Sequence, residues 1–138
     1  RKVWSGEVVE HQSDFINWTN FQSYPTPVQE GGIPVIIGGS KGKIFERIAR
    51  LGDGWFAPTN DAAGLAPMLE PLKAACKDIG RDYDSVEITS MWDNQGGLDA
   101  IKAFADIGVS RVLVPMFALG KDPMAGISQL ADEIVAKV

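Results

Sequence analysis

The stretch Pro34-Val35-Ile36-Ile37-Gly38-Gly39-Ser40 decides how this chain is read. A short apolar run, too short for a buried helix, ends in paired glycines and a serine, and an amphipathic segment follows at once. A strand that stops on glycine and turns directly into a helix leaves backbone N–H groups open at the helix N-terminus. An anion can sit there without a side-chain clash. Lys41, Gly42 and Lys43 continue the corner, and Arg47 and Arg50 follow. The corner Gly38, Gly39, Ser40, Lys41, Gly42 and Lys43 is therefore the candidate site for a phosphate-bearing ligand, with the serine hydroxyl and lysine charge adding to the backbone amides. The plainer alternative is a tight strand-to-helix turn with solvated lysines.

Working outward, short apolar runs recur at Trp55–Ala57, Val86–Met91 and Val112–Val114. Between them lie stripes at helical spacing. One joins Leu65, Met68, Leu69, Leu72, Ala75, Cys76 and Ile79. A second joins Leu98, Ile101, Phe104 and Ala105, and a third Ile127, Leu130, Ala131, Ile134 and Val138. Strand then helix, four times over, predicts βαβ units and a parallel sheet, an α/β fold. The endings Leu51-Gly52, Ile79-Gly80 and Ile107-Gly108 repeat in register, and each predicts a left-handed glycine cap closing a helix. Gly52-Asp53-Gly54-Trp55 reads as structural: small residues for close helix–strand packing and an aspartate for turn amides. Residues 1–33 carry Trp4, Phe15, Trp18, Phe21 and Tyr24 without a period and read as an irregular, partly extended segment.

Composition narrows the function. At 138 residues, 45% apolar and 22% charged, the chain is one ordinary globular domain in size. A net charge of −5 argues against general nucleic-acid binding. No apolar run approaches the roughly 20 residues of a bilayer span, and no leader pattern is present, so a membrane or secretory role is not expected. A lone cysteine, Cys76, points to a cytoplasmic setting. It sits on a buried stripe, where a thiol is a small hydrophobe. His11, the single histidine, lies among Glu7, Glu10 and Asp14, too few nitrogen or sulfur donors for a zinc site. No metal cluster and no catalytic triad or carboxylate pair is visible, and the catalytic residues are not assigned.

Parallel α/β folds bind ligands at the C-terminal ends of their strands. Those ends are Pro58-Thr59-Asn60, Met91-Trp92-Asp93-Asn94 and Pro115-Met116-Phe117. Asn60, Trp92 and Phe117 are the candidate substrate-pocket residues. The alternatives are a turn role for Asn60 and Asp93, and a core-capping role for Trp92 and Phe117.

Pro34–Ser40, Ala49-Arg50-Leu51-Gly52-Asp53-Gly54-Trp55 and Tyr24-Pro25-Thr26-Pro27-Val28-Gln29, together and in order, resemble the bacterial luciferase-like oxidoreductase family. The likeness is to its branch using the deazaflavin coenzyme F-420, and it continues through Gly80-Arg81-Asp82 and Ile107–Val112. The resemblance implies a (β/α)8 barrel, of which 34–138 matches the C-terminal half: four parallel βα units, strands five to eight, after an insertion segment 1–33. It also implies that the Gly38–Lys43 corner holds the cofactor phosphate. The activity implied is hydride transfer between F-420 and an organic small-molecule substrate. The alternatives are an FMN-dependent monooxygenase of the same family and a non-catalytic half-barrel that binds a phosphate ligand. A doubly wound sheet is a further alternative, distinguished by a reversal in strand order. Four strands of a barrel leave unpaired edges and an open inner face. The expected partner is another copy of the chain or a first half-barrel, and the isolated segment is expected to be inactive.

Overall fold

The computed structural model describes residues 1–138, which divide into two compact units, Arg1–Pro34 and Val35–Val138. The first unit holds a short 3-10 turn, Lys2–Ser5, and an antiparallel hairpin of β1 (Val9–Gln12) and β2 (Asn17–Phe21). The sequence reading found no strand period here, and the structure gives the reason. A register irregularity between Val9 and His11 breaks the alternation, and both faces of the hairpin are largely exposed, so no apolar side repeats. Trp18 stacks on Phe21 with ring centroids 4.9 Å apart. The carbonyl of Gly6 accepts from Gln22 Nε2 at 2.8 Å and from the Tyr24 hydroxyl at 2.9 Å.

The second unit alternates strand and helix as expected. In order come β3 (Ile36–Gly38), α1 (Ile44–Leu51), β4 (Gly54–Ala57) and α2 (Ala62–Asp78). Then follow β5 (Glu87–Met91), α3 (Gly97–Asp106), β6 (Arg111–Leu113) and α4 (Pro123–Glu133). The four strands form one parallel sheet in the order β3-β4-β5-β6. Neighbours in sequence are neighbours in space, without the reversal that a doubly wound sheet requires.

Alternation along the strands sorts the side chains onto two faces. Trp55, Ala57, Ile88 and Ser90 point to the helical face and are almost fully buried. They meet Ile44 and Ile48 of α1, Leu65, Leu69, Leu72 and Cys76 of α2, and Phe104 of α3. Trp55 carries the centre of this core: its ring meets Phe45 edge-on at 5.3 Å, and its indole N–H donates to the Gly39 carbonyl at 2.8 Å. The other face is open. Ile36 and Leu113 lie 37% and 44% exposed on it. Near its N-terminal end Glu87 pairs with Arg111 at 2.6 Å.

Two of the three expected glycine caps have the predicted conformation, Gly80 at φ +70° and Gly108 at φ +86°. Gly52 does not: its φ is −86°, in the extended region. It is small because a Cβ would press within 3.2 Å of the Ile37 side chain and the Gly54 carbonyl. The end of α1 is closed from a distance instead. Arg81 Nη1 donates to the carbonyls of Ile48, Ala49 and Gly52, at 3.2, 3.0 and 2.7 Å. Asp53 plays the part expected of it, its Oδ2 accepting from the Val35 amide at 2.7 Å.

The helix α2 runs through Pro67 and Pro71 without ending, because its stripe of Leu65, Leu69, Leu72 and Cys76 is anchored in the core. Asp61 caps its start, accepting from the Gly64 amide at 2.7 Å. Burial fades toward the β6 edge: Ile127 and Val138 of the last predicted stripe are 49% and 76% exposed, and only Ile134 is buried.

Replacing Arg81 by methionine keeps the aliphatic stem but takes the donor from the Ala49 and Gly52 carbonyls, while Ile48 keeps the Gly52 amide. It should cost about 2 kcal/mol of stability, measured by urea unfolding at neutral pH. A loss under a few tenths would contradict the capping role. Alkaline pH should also destabilise the fold. Burial raises the Cys76 thiol and the Tyr83 phenol above their ordinary pKa values. The unfolded chain therefore gives up these protons first, and stability falls as pH climbs past the ordinary values, about 9 for the thiol and 10 for the phenol. The Tyr83 hydroxyl is buried without a partner. Tyr83→Phe should raise the melting temperature at neutral pH and flatten the alkaline decline; an unchanged decline would refute this.

Candidate functional site

The glycine corner begins where β3 ends. Gly39 sits at φ +114° and Gly42 at φ +63°, conformations that side-chain-bearing residues rarely adopt, and nothing lies within 4 Å of a Cβ built on Gly42. Ser40 is half-buried, and Lys41, Gly42 and Lys43 face solvent. The first hydrogen bond of α1 runs from the Arg47 amide to the Lys43 carbonyl at 3.1 Å. The amides of Ile44, Phe45 and Glu46 accordingly have no partner inside the helix. The corner is held from behind, since the Gly39 carbonyl is turned inward onto the Trp55 indole. Not every basic residue gathers here: Arg50 lies in the last turn of α1, at the far end of the helix from the corner. Glu46 stands in the first turn, an acidic neighbour that partly offsets the lysines.

Further along the same rim, above the C-terminal ends of β4, β5 and β6, lies a cavity of about 440 Å³. Its walls are apolar: Phe56, Pro58, Met91, Pro115 and Phe117. Thr59, Asn60 and Asp93 supply its polar edge. Asn60 Nδ2 donates to Asp93 Oδ2 at 3.1 Å, and the Gln95 amide donates to Asp93 Oδ1, also at 3.1 Å. Asn94, in the left-handed region at φ +63°, donates from Nδ2 to the Ala118 carbonyl at 3.3 Å and ties this loop to the next. That next loop is the 3-10 turn Met116–Leu119, which presents Phe117 at 81% exposure.

Of the three residues read as pocket walls, Asn60 and Phe117 share this cavity and Trp92 does not. Trp92 is 2% exposed, packed into the helical core with its indole N–H donating to the Gln95 carbonyl at 2.7 Å. Strand parity explains the split. Met91 and Asp93 continue the open face of β5, and Trp92 between them points to the helices. The same parity puts Phe56 of β4, and Pro58 just beyond it, in the cavity. Sequence reasoning named Met91 and Asp93 on a pocket-forming strand end but selected neither, reading Asp93 as a turn residue, and it passed over Phe56, although alternation along the strand was there to find all three.

Residues elsewhere have structural roles. Cys76 is buried among leucines, and burial raises its pKa, opposite to what a nucleophile needs. His11 lies exposed on β1, its ring 6.0 Å from Trp18. No helix is long and apolar enough to cross a membrane.

The fold has close counterparts among oxidoreductases. The chain superposes on a coenzyme F-420-dependent tetrahydromethanopterin reductase from Methanopyrus kandleri with a TM-score of 0.80 at 11% identity, over 98% of this chain and 59% of that one. It superposes on an F-420-dependent secondary alcohol dehydrogenase, held with an F-420–acetone adduct, with a TM-score of 0.75 at 13% identity, over 97% and 57% of the two chains. In sequence it is 30% identical over 142 residues to uncharacterized proteins of Mycobacterium tuberculosis and Mycobacterium bovis, covering 100% of this chain and 48% of each relative. The chain thus spans about half the length of the curated relatives it matches. Residues 1–92 match the profile of the luciferase-like monooxygenases. The corner-and-sheet framework and these matches agree, and the chain belongs to the luciferase-like monooxygenase family.

Proposed function

We propose that this chain is the C-terminal half of a (β/α)8 barrel, strands five to eight, in an oxidoreductase that moves a hydride between F-420 and a small organic substrate. The observation that carries the reading is shared placement. The glycine corner follows β3 and the apolar cavity follows β4, β5 and β6, all at the C-terminal ends of one parallel sheet. At about 4.8 Å per strand step, the corner lies roughly 10 Å along the rim from the end of β5, above which the cavity sits. A cofactor anchored at the corner by its anionic tail would reach the cavity with its head, leaving the cavity itself to the substrate.

The residues at the corner fit a phosphate. Gly42 has open space where a side chain would stand, the helix amides are free of internal partners, and Ser40 and the exposed Lys41 and Lys43 flank them. Bound there, F-420 would supply the hydride-carrying ring. The protein's own contribution is to anchor the tail through backbone amides and to offer the cavity walled by Phe56, Met91 and Phe117 as an apolar substrate pocket beside the head. The open face of the sheet, with Ile36 and Leu113 exposed, would be closed by a first half-barrel or by another copy of the chain. No residue of this half is assigned to the chemistry, and the segment alone would bind without turnover. The monooxygenase description of the family favours a second reading, FMN as the cofactor at the same corner.

Titrating F-420 and FMN separately into the protein, followed by fluorescence, tests the assignment. F-420 should bind tighter. Gly42→Asp should weaken it at least tenfold, because aspartate tolerates the left-handed backbone but sets a negative charge against the phosphate. Gly42→Asn, isosteric and neutral, should lose no more than about threefold. Equal binding by both variants would remove the phosphate from this corner, and tighter FMN binding would favour the second reading. The 138-residue chain alone should self-associate in light scattering; a monomer at high concentration would contradict the open-barrel reading.

A further inference from the structure

The cavity's polar edge is specific enough to name a class of substrate, given the reading of that cavity as the substrate pocket. We propose that Asp93, positioned by Asn60, selects substrates that bring a hydrogen-bond donor, an alcohol or amine on an apolar body, and turns away carboxylates.

Asp93 is the one charged residue among those lining the cavity. Strand parity carries it onto the open face after Met91, and it is half-buried. Each of its oxygens holds one donor, the Asn60 amide on Oδ2 and the Gln95 backbone amide on Oδ1. A carboxylate offers roughly four acceptor directions, so two are left for a guest. The carboxylate donates nothing, so a guest that reaches it must bring its own hydrogen. An anionic guest would set like charges together at this edge.

The Asn60 side chain adds a second element. An acceptor-only partner fixes its orientation, with the NH2 group toward Asp93 and the carbonyl oxygen away. That NH2 has a second hydrogen, suited to an oxygen that only accepts. An alcohol can donate to Asp93, and the carbonyl formed by its oxidation can accept from Asn60. Such an edge suits both members of an alcohol–carbonyl or amine–imine pair, as an oxidoreductase pocket must. The apolar walls take the body of the molecule, which distinguishes this class from sugars or nucleotides.

The test is a titration of the protein with four matched probes, benzyl alcohol, benzylamine, toluene and benzoate, followed by amide and side-chain NMR shifts. Benzylamine and benzyl alcohol should bind at least tenfold more tightly than benzoate and shift the Asn60 side-chain resonances. Asp93→Asn should bring the benzylamine-to-benzoate ratio within about threefold. Phe117→Ala should weaken all four probes by similar factors and leave their ratios intact. Asn60→Ala, with Asp93 kept, should reduce the preference partially, so the proposal does not hang on one variant folding. Probes that bind in a Phe117-dependent way without preferring donors would overturn the selectivity alone. Probes that leave Phe117, Asn60 and Met91 unshifted would overturn the pocket reading and this inference with it.

Discussion

A single hydrogen bond links the core of this protein to its candidate site. Trp55 fills the space between the sheet and α1, and its indole N–H has to find an acceptor once the ring is buried. It finds the Gly39 carbonyl at 2.8 Å. From there Gly39 and Gly42, both at positive φ, carry the chain into α1, whose first three amides have no partner within the helix. The corner is therefore tied at Gly39 to the core beneath it. Arg81 extends the same logic to the other end of α1, where its guanidinium gathers three carbonyls.

The second constraint is the two-residue period of the strands. One parity of β4, β5 and β6 feeds the helical core with Trp55, Ile88 and Val112. The other lines the open face and rises into the cavity through Phe56, Met91 and Asp93. Core and cavity are thus alternate residues of the same short segments. A one-residue slip of β5 would exchange Trp92 for Asp93, burying a carboxylate in the apolar helical core, so the register is strongly specified.

Much of this was readable beforehand. The strand–helix alternation, the stripe of α2 and the role of Asp53 follow from period, turn chemistry and glycine placement. The strand positions shifted by a residue at most: Val35–Ile37 became Ile36–Gly38, and Val112–Val114 became Arg111–Leu113. The hairpin of β1 and β2 was missed because a strand with both faces exposed leaves no apolar alternation to detect. Trp92 was placed in the pocket by its size, while its parity put it in the core.

By itself, then, the sequence determined the local features: where the chain turns, which runs are buried, and that a glycine corner opens a helix. Local sterics and short-range periodicity govern each of these, and both are written in consecutive residues. Only the tertiary structure decided which strand ends share a rim, that Arg81 closes a helix some thirty positions before it, and that Asn60 and Asp93 meet across two loops at 3.1 Å. Such pairings depend on the strand order and on the packing of distant side chains, and no spacing within the chain encodes them.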